Sequence, residues 1–224
     1  ERIVAGIINS RDHNGTTPLH CAVDIGNLET MKLLLELKAK VNVKDKFGNT
    51  PLHKAVFGVD NLEKMNKLFR YEADPTIKNW MGKTVTDVAI EEKKRNYLAK
   101  MMHWFGDEGY GEEIKKAVNA YPGIVDYGEK EGGSAFFNAA NAGNVETMRI
   151  LRDLGANVNT TNEDGDTALH YRVFQEDEEM VKILVREFDV NLFIINKKGE
   201  DVYDIARETR NPKEFLDIFK GTLA

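Results

Sequence analysis

The chain has 224 residues, 42% of them hydrophobic and 30% charged, which suits one large or two small water-exposed domains. No apolar run approaches the roughly 18 residues that would cross a bilayer, and no signal-peptide pattern opens the sequence. The net charge of −6 is unevenly spread. Residues 1–105 hold 17 Lys+Arg against 13 Asp+Glu, and residues 106–224 hold 14 against 24, so the two parts carry +4 and −10. Such a split gives the molecule an electrostatic direction, expected to suit a partner of complementary polarity. The single cysteine, Cys21, leaves no pair for an internal disulfide and points to a reducing compartment, the cytoplasm or the nucleus.

Glu1 is not an initiator methionine, and Gly6-Ile7-Ile8-Asn9 reads as the tail of a repeat whose helices come earlier. The chain is therefore expected to begin inside a longer protein or a processed one. From Asp12 a unit runs Asp12-x-x-Gly15-x-Thr17-Pro18-Leu19-His20-x-Ala22, then Gly26-Asn27-Leu28-Glu29, then Met31-x-x-Leu34-Leu35. It restarts 33 residues on at Asp45-x-x-Gly48-x-Thr50-Pro51-Leu52-His53-x-Ala55. Thr17 and Pro18 open an inner helix, because Thr caps helices and Pro has φ preset for a first turn. Gly26 closes it as a left-handed residue past the helix end. Leu28, Met31, Leu34 and Leu35 have the spacing of one buried face of an outer helix. Residues 39–47 should form a β-turn finger.

A period in the low thirties around a Thr-Pro-Leu-His core marks a helix-pair array. The chain resembles the ankyrin repeat family over nearly its whole length. The resemblance implies an all-α ankyrin-repeat solenoid of helix-turn-helix units with short β-turn fingers. The second repeat, from Asp45, carries Leu62, Met65, Leu68 and Phe69 on its outer helix. The third, from Asn79, keeps Gly82, Thr84 and Ala89 but reads Val85-Thr86-Asp87 in place of Pro-Leu-His. Its outer helix should run from about Asn96 to Phe105, with Leu98, Met101 and Met102 inward.

The period then breaks. Gly106-Asp-Glu-Gly109-Tyr-Gly111 reads as a flexible glycine loop. Residues 112–120 read as a short helix with Ile114, Ala117 and Val118 on one face, closed by Tyr121-Pro122-Gly123. This seam looks like a repeat that lost its inner helix. Starts at Glu129, Asn162 and Asn196 then restore the register, each 117 residues after Asp12, Asp45 and Asn79. Gly26-Asn27-Leu28-Glu29-Thr30-Met31 recurs as Gly143-Asn144-Val145-Glu146-Thr147-Met148. A duplicated three-repeat block explains both facts, and implies a helix before Glu1. The expected organisation is a first block over 1–105, a seam over 106–128, and a second block over 129–224. The last ends in a capping helix with a polar outer face, so the native C-terminus is expected near Ala224. Two places depart from the pattern: Ser134-Ala135-Phe136-Phe137 replaces the core motif, and Arg172 stands where a small alanine is expected. A buried Arg is costly unless paired, so either its helix is displaced or it reaches an acid among Glu176–Glu179.

The chemistry-bearing residue types form no catalytic or metal constellation. His20, His53 and His170 sit in the motif slot, where the resemblance implies a bond to backbone between repeats. His13 and His103 lack partners at metal-ligand spacing. No phosphate-binding glycine motif is present. Cys21 is expected to be packed and structural, since its neighbour His20 points away from it on a helix. The acidic pairs Glu91-Glu92 and Glu178-Glu179 read as solvated faces. The run Lys93-Lys94-Arg95 is too short for nucleic acid. No enzyme activity and no cofactor are expected.

What remains is surface recognition. The resemblance implies contact through fingertips and the exposed edge of the inner helices. The fingertips include Lys46 and Phe47, Trp80 and Met81, Lys130 and Glu131, and Lys197 and Lys198. The inner-helix positions include Asp24, Ile25, Phe57, Glu91, Phe174 and Glu208. Phe47, Phe57, Trp80, Met81 and Phe174, with Lys46, are the candidate protein-binding residues, because large apolar side chains at exposed positions anchor interfaces. The expectation is a monomeric, cytoplasmic or nuclear protein that binds a protein partner as scaffold or inhibitor, without nucleic acid or membrane insertion. Two alternatives stand beside it. One is a regulatory or targeting domain of a larger enzyme or channel. The other is a pathogen or viral ankyrin protein that mimics a host transcription-factor inhibitor.

Overall fold

The computed structural model describes residues 7–58, 61–129 and 133–221. The chain divides into two compact units, residues 1–98 and 99–224.

In the first unit, helix α1 (Pro18–Ile25) packs on α2 (Leu28–Glu36), and α3 (Pro51–Ala55) packs on α4 (Asn61–Phe69). Helix α5 (Val85–Glu91) follows, then α6 (Arg95–Glu108), whose first residues close this unit. Thr17 caps α1 by accepting from the backbone of His20, and Gly26 ends it at φ 79°. Met31, Leu35, Met65, Leu68 and Phe69 are buried, while Leu28, Leu34 and Leu62 are half-buried at the edges of the same stripe. Each outer helix thus buries an apolar stripe against its inner partner. Cys21 is exposed rather than packed: it lies on the outward side of α1, whose buried side is Leu19, Ala22 and Val23.

In the second unit, α7 (Gly111–Ala120) packs on a 3₁₀ turn (Pro122–Ile124). A two-residue hairpin pairs β1 (Gly128–Glu129) antiparallel with β2 (Gly133–Ser134), with Gly128 opposite Ser134. Three helix pairs follow: α8 (Ala135–Ala142) with α9 (Val145–Asp153), α10 (Ala168–Phe174) with α11 (Glu178–Glu187), and α12 (Val202–Glu208) with α13 (Pro212–Lys220). The architecture is all-α, with strands among the described residues only in that hairpin.

The glycine loop expected at 106–111 is corrected. Gly106, Asp107 and Glu108 continue helix α6, and Gly111 opens α7. Gly106 serves close packing: a Cβ there would lie 2.5 Å from the Ala135 carbonyl oxygen. Arg172 takes the second of its two expected solutions. Its guanidinium lies 3.3 Å from the Asp177 carboxylate and donates to the carbonyls of Ala140 and Asn141 at the end of α8.

Candidate functional site

The fingers are built by one residue per repeat. Asp45 Oδ1 accepts from the backbone N–H groups of Phe47 and Asn49, each at 2.9 Å. Asp12, Asn79, Asn162 and Asn196 do the same for their own fingers. The side chain thereby satisfies two turn amides that no helix or ladder would pair. Successive fingers then join: the N–H of Lys46 donates to the Asn14 carbonyl at 2.8 Å, and that of Trp80 to Phe47 at 3.1 Å.

The motif histidines tie each inner helix to the next finger. In the first unit the Thr17 and Thr50 N–H groups donate to Nδ1 of His20 and His53, both at 3.3 Å. That leaves the ring proton on Nε2, which donates to the carbonyl of Asn49 at 3.0 Å and of Lys83 at 3.1 Å. Burial pushes both imidazoles below their ordinary pKa. Where the motif is eroded, Asp87 takes the histidine slot and accepts from Thr84 N–H at 2.8 Å. Asp204 does the same for Asp201 at 3.3 Å.

On this frame the first unit displays most of the candidate residues. Trp80 is 67% exposed, Met81 73%, Phe47 57% and Phe57 44%. Phe47 and Trp80 are adjacent through their backbone hydrogen bond. Gly48 permits that approach, since a Cβ there would meet Trp80 N at 2.5 Å and its φ is +79°. Lys44 Nζ stands 4.5 Å from the Trp80 ring centre and Lys46 Nζ 5.1 Å from that of Phe47, so both rings carry a cation on the face. Phe57 lies just beyond α3 rather than on it. With Met81 and Val88 it lines a groove of about 410 Å³, edged by Lys54, Lys83 and Glu91. There Lys83 pairs with Glu91 at 2.7 Å, and Lys54 lies 3.5 Å from Asp24.

Phe174, 71% exposed at the end of α10, belongs to the second unit and lines a groove of about 250 Å³ with Tyr171, His170 and Ile205. The fingertip pair Lys130 and Glu131 lies outside the described residues. Sequence reading missed the groove residues Lys54, Lys83 and Val88 in the first unit and Tyr171, Glu200 and Ile205 in the second. The 117-residue offset was the available signal, because it superposes the two sets position by position.

The family model described as ankyrin repeats (3 copies) matches residues 2–79, and the one described as ankyrin repeats (many copies) matches residues 136–185. An ankyrin repeat-containing protein of Schizosaccharomyces pombe, P1E11.10, is 30% identical over 161 residues, covering 67% of this chain and 73% of that protein. This chain belongs to the ankyrin repeat family. Ankyrin repeats are in general non-catalytic modules for protein–protein contact, and protein partners are the class they suggest. The probable 26S proteasome regulatory subunit p28 of Saccharomyces cerevisiae is 24% identical over 215 residues, covering 94% of this chain and 87% of that one. The human BCL-6 corepressor-like protein 1 is 37% identical over 92 residues, 41% of this chain but only 5% of that protein.

Proposed function

We propose that this ankyrin chain is a non-enzymatic, monomeric protein-binding module of the cytoplasm or nucleus. It takes its partner on the fingers and inner-helix edges, as a scaffold or as an inhibitor that occupies the partner. The observation that carries this reading is the joined, solvent-exposed pair Phe47 and Trp80, with Met81 and Phe57 alongside. Large apolar side chains grouped in water cost solvation that a partner would relieve, and such aromatic anchors dominate interface energetics. Lys44 and Lys46 over the two rings add positive charge, which favours an acidic rim on the partner. The match to p28 over most of both chains, a protein named as a regulatory subunit of a large assembly, supports the scaffold arm.

The test is partner capture from cell lysate by the wild-type chain and by a Phe47→Ala/Trp80→Ala variant, after both show the same melting curve. A partner held by wild type and lost by the variant supports the reading. A partner held equally by both moves the contact away from these fingers.

A further inference from the structure

The groove of the second unit repeats that of the first at most of its positions, with its charge shifted further to the acidic side. Asn49, His53, Phe57 and Asn79 of the first groove correspond to Asp166, His170, Phe174 and Asn196 of the second. Lys54 corresponds to Tyr171, and Lys83 to Glu200. In the first groove the two lysines pair with two of the acids, Asp24 and Glu91. In the second, Asp164, Asp166, Glu200 and Glu208 face the single cation Lys198, and among the described residues none of the four carboxylates is in an ion pair. Among the described residues the Asp166 and Glu200 carboxylates accept only from the neutral Asn196 amide, at 2.9 and 3.2 Å.

A second observation is independent of charge. His170 is fully buried at the floor of this groove. Its Nδ1 accepts from Thr167 N–H at 3.3 Å, so its proton sits on Nε2 as in His20 and His53. Unlike theirs, that N–H has no acceptor among the described residues. A buried donor without an acceptor is an unmet demand for one.

We propose that the groove walled by Asp166, Phe174, Glu200 and Glu208 docks an arginine- or lysine-rich peptide segment of a protein partner. The inference rests on the reading that the finger and inner-helix face of the unit is a protein-binding surface. The cationic side chains meet the unpaired carboxylates. Their stems, or a guanidinium plane, lie on the exposed Phe174 ring and the half-buried Tyr171 ring. A main-chain carbonyl of the peptide supplies the acceptor His170 lacks as the groove floor parts to admit it.

The probe is a fluorescein-labelled octapeptide alternating Arg and Ala, with Glu/Ala and Gln/Ala counterparts, titrated by anisotropy against the whole chain. The expected result is saturable binding of the Arg peptide alone, weakened by added salt. Glu200→Lys places at that position the residue type that pairs with Glu91 in the first unit, and is expected to weaken binding by about tenfold or more. Phe174→Ala is expected to weaken it by about tenfold. Glu146→Lys makes the same charge change on an exposed outer helix and is expected to leave affinity within about twofold. No binding, or equal loss in the Glu200→Lys and Glu146→Lys variants, overturns the proposal. Equal binding of the Gln/Ala peptide overturns the basic-partner assignment while leaving the surface reading intact. The Phe47→Ala/Trp80→Ala capture tests the other unit separately.

Discussion

Lys64 and Arg172 each direct a buried cation at the same carbonyl of the duplicated repeat, Val23 in the first unit and Ala140 in the second, from different helices. Lys64 reaches from the outer helix α4 at 3.2 Å and also donates to the Phe57 carbonyl at 2.8 Å. Arg172 reaches from the inner helix α10 at 3.0 Å. Counted by the 117-residue offset, Lys64 stands opposite Val181 and Arg172 opposite Ala55. The carbonyl lies in the last turn of an inner helix, where it accepts only from the N–H of the capping glycine, Gly26 or Gly143, at 3.2 Å among backbone groups and the helix dipole favours positive charge. The requirement is the same in both units, and two different side chains meet it.

That relationship is testable by exchange. Arg172→Ala removes the guanidinium from the last carbonyls of α8, leaving Ala140 only its bond from Gly143 N–H, and unpairs Asp177, and is expected to cost about 2–4 kcal/mol in urea unfolding. Adding Val181→Lys installs the arrangement of the first unit and is expected to recover about 1 kcal/mol or more. A double variant less stable than Arg172→Ala alone would show that the two solutions are not interchangeable.

The motif histidines make stability depend on pH. Burial holds the folded-state pKa of His20 and His53 below the ordinary 6.5. The unfolded chain therefore binds protons first. The contribution of these residues is complete above about pH 6.5 and is lost as pH falls through the folded values. The urea midpoint is expected to fall between about pH 7.5 and 5.5, and a His20→Gln/His53→Gln variant is expected to show a flatter dependence. Identical slopes for the two proteins would refute this.

The glycines at 106 and 82 should respond in opposite order to their backbone angles. Gly82 has φ +75° with nothing within 4 Å of an added Cβ, so Gly82→Ala is expected to cost about 1 kcal/mol of backbone strain alone. Gly106 is helical, where Ala would ordinarily gain about 1 kcal/mol. A Cβ there meets backbone of Ala135, and Gly106→Ala is expected to be the more destabilising, by about 2 kcal/mol or more net. Thermal melts of the two single variants decide the order.

Much of the frame was legible in the residues. The repeat starts, the caps at Thr17 and Thr50, the inward outer-helix positions Met31, Leu98 and Met101, and the paired fate of Arg172 follow from rules of period, capping and burial that act over a few residues. The candidate fingers were legible as positions, and the exposure of Phe47, Trp80 and Met81 agrees with them. Three features were not. Gly106 reads locally as a breaker, yet its helix is kept by packing against a segment some thirty residues away. Cys21 reads as packed, but a helix has two sides and its neighbours took the buried one. Asp87 reads as motif loss, although its carboxylate accepts from the cap amide as an imidazole does, and Asp204 does likewise. What a carboxylate cannot do is donate to a following finger.

The sequence by itself determined the period, the helix-pair unit and the duplication, because spacing and capping are properties of neighbouring residues. Only the tertiary structure decided which polar groups meet across repeats. It shows that Lys54 and Lys83 pair with acids in one groove, that Tyr171 and Glu200 leave acids unpaired in the other, and that among the described residues His170 lacks the acceptor its two counterparts have. Those outcomes turn on distances between residues about thirty positions apart, and electrostatic and hydrogen-bond energies depend on such distances steeply.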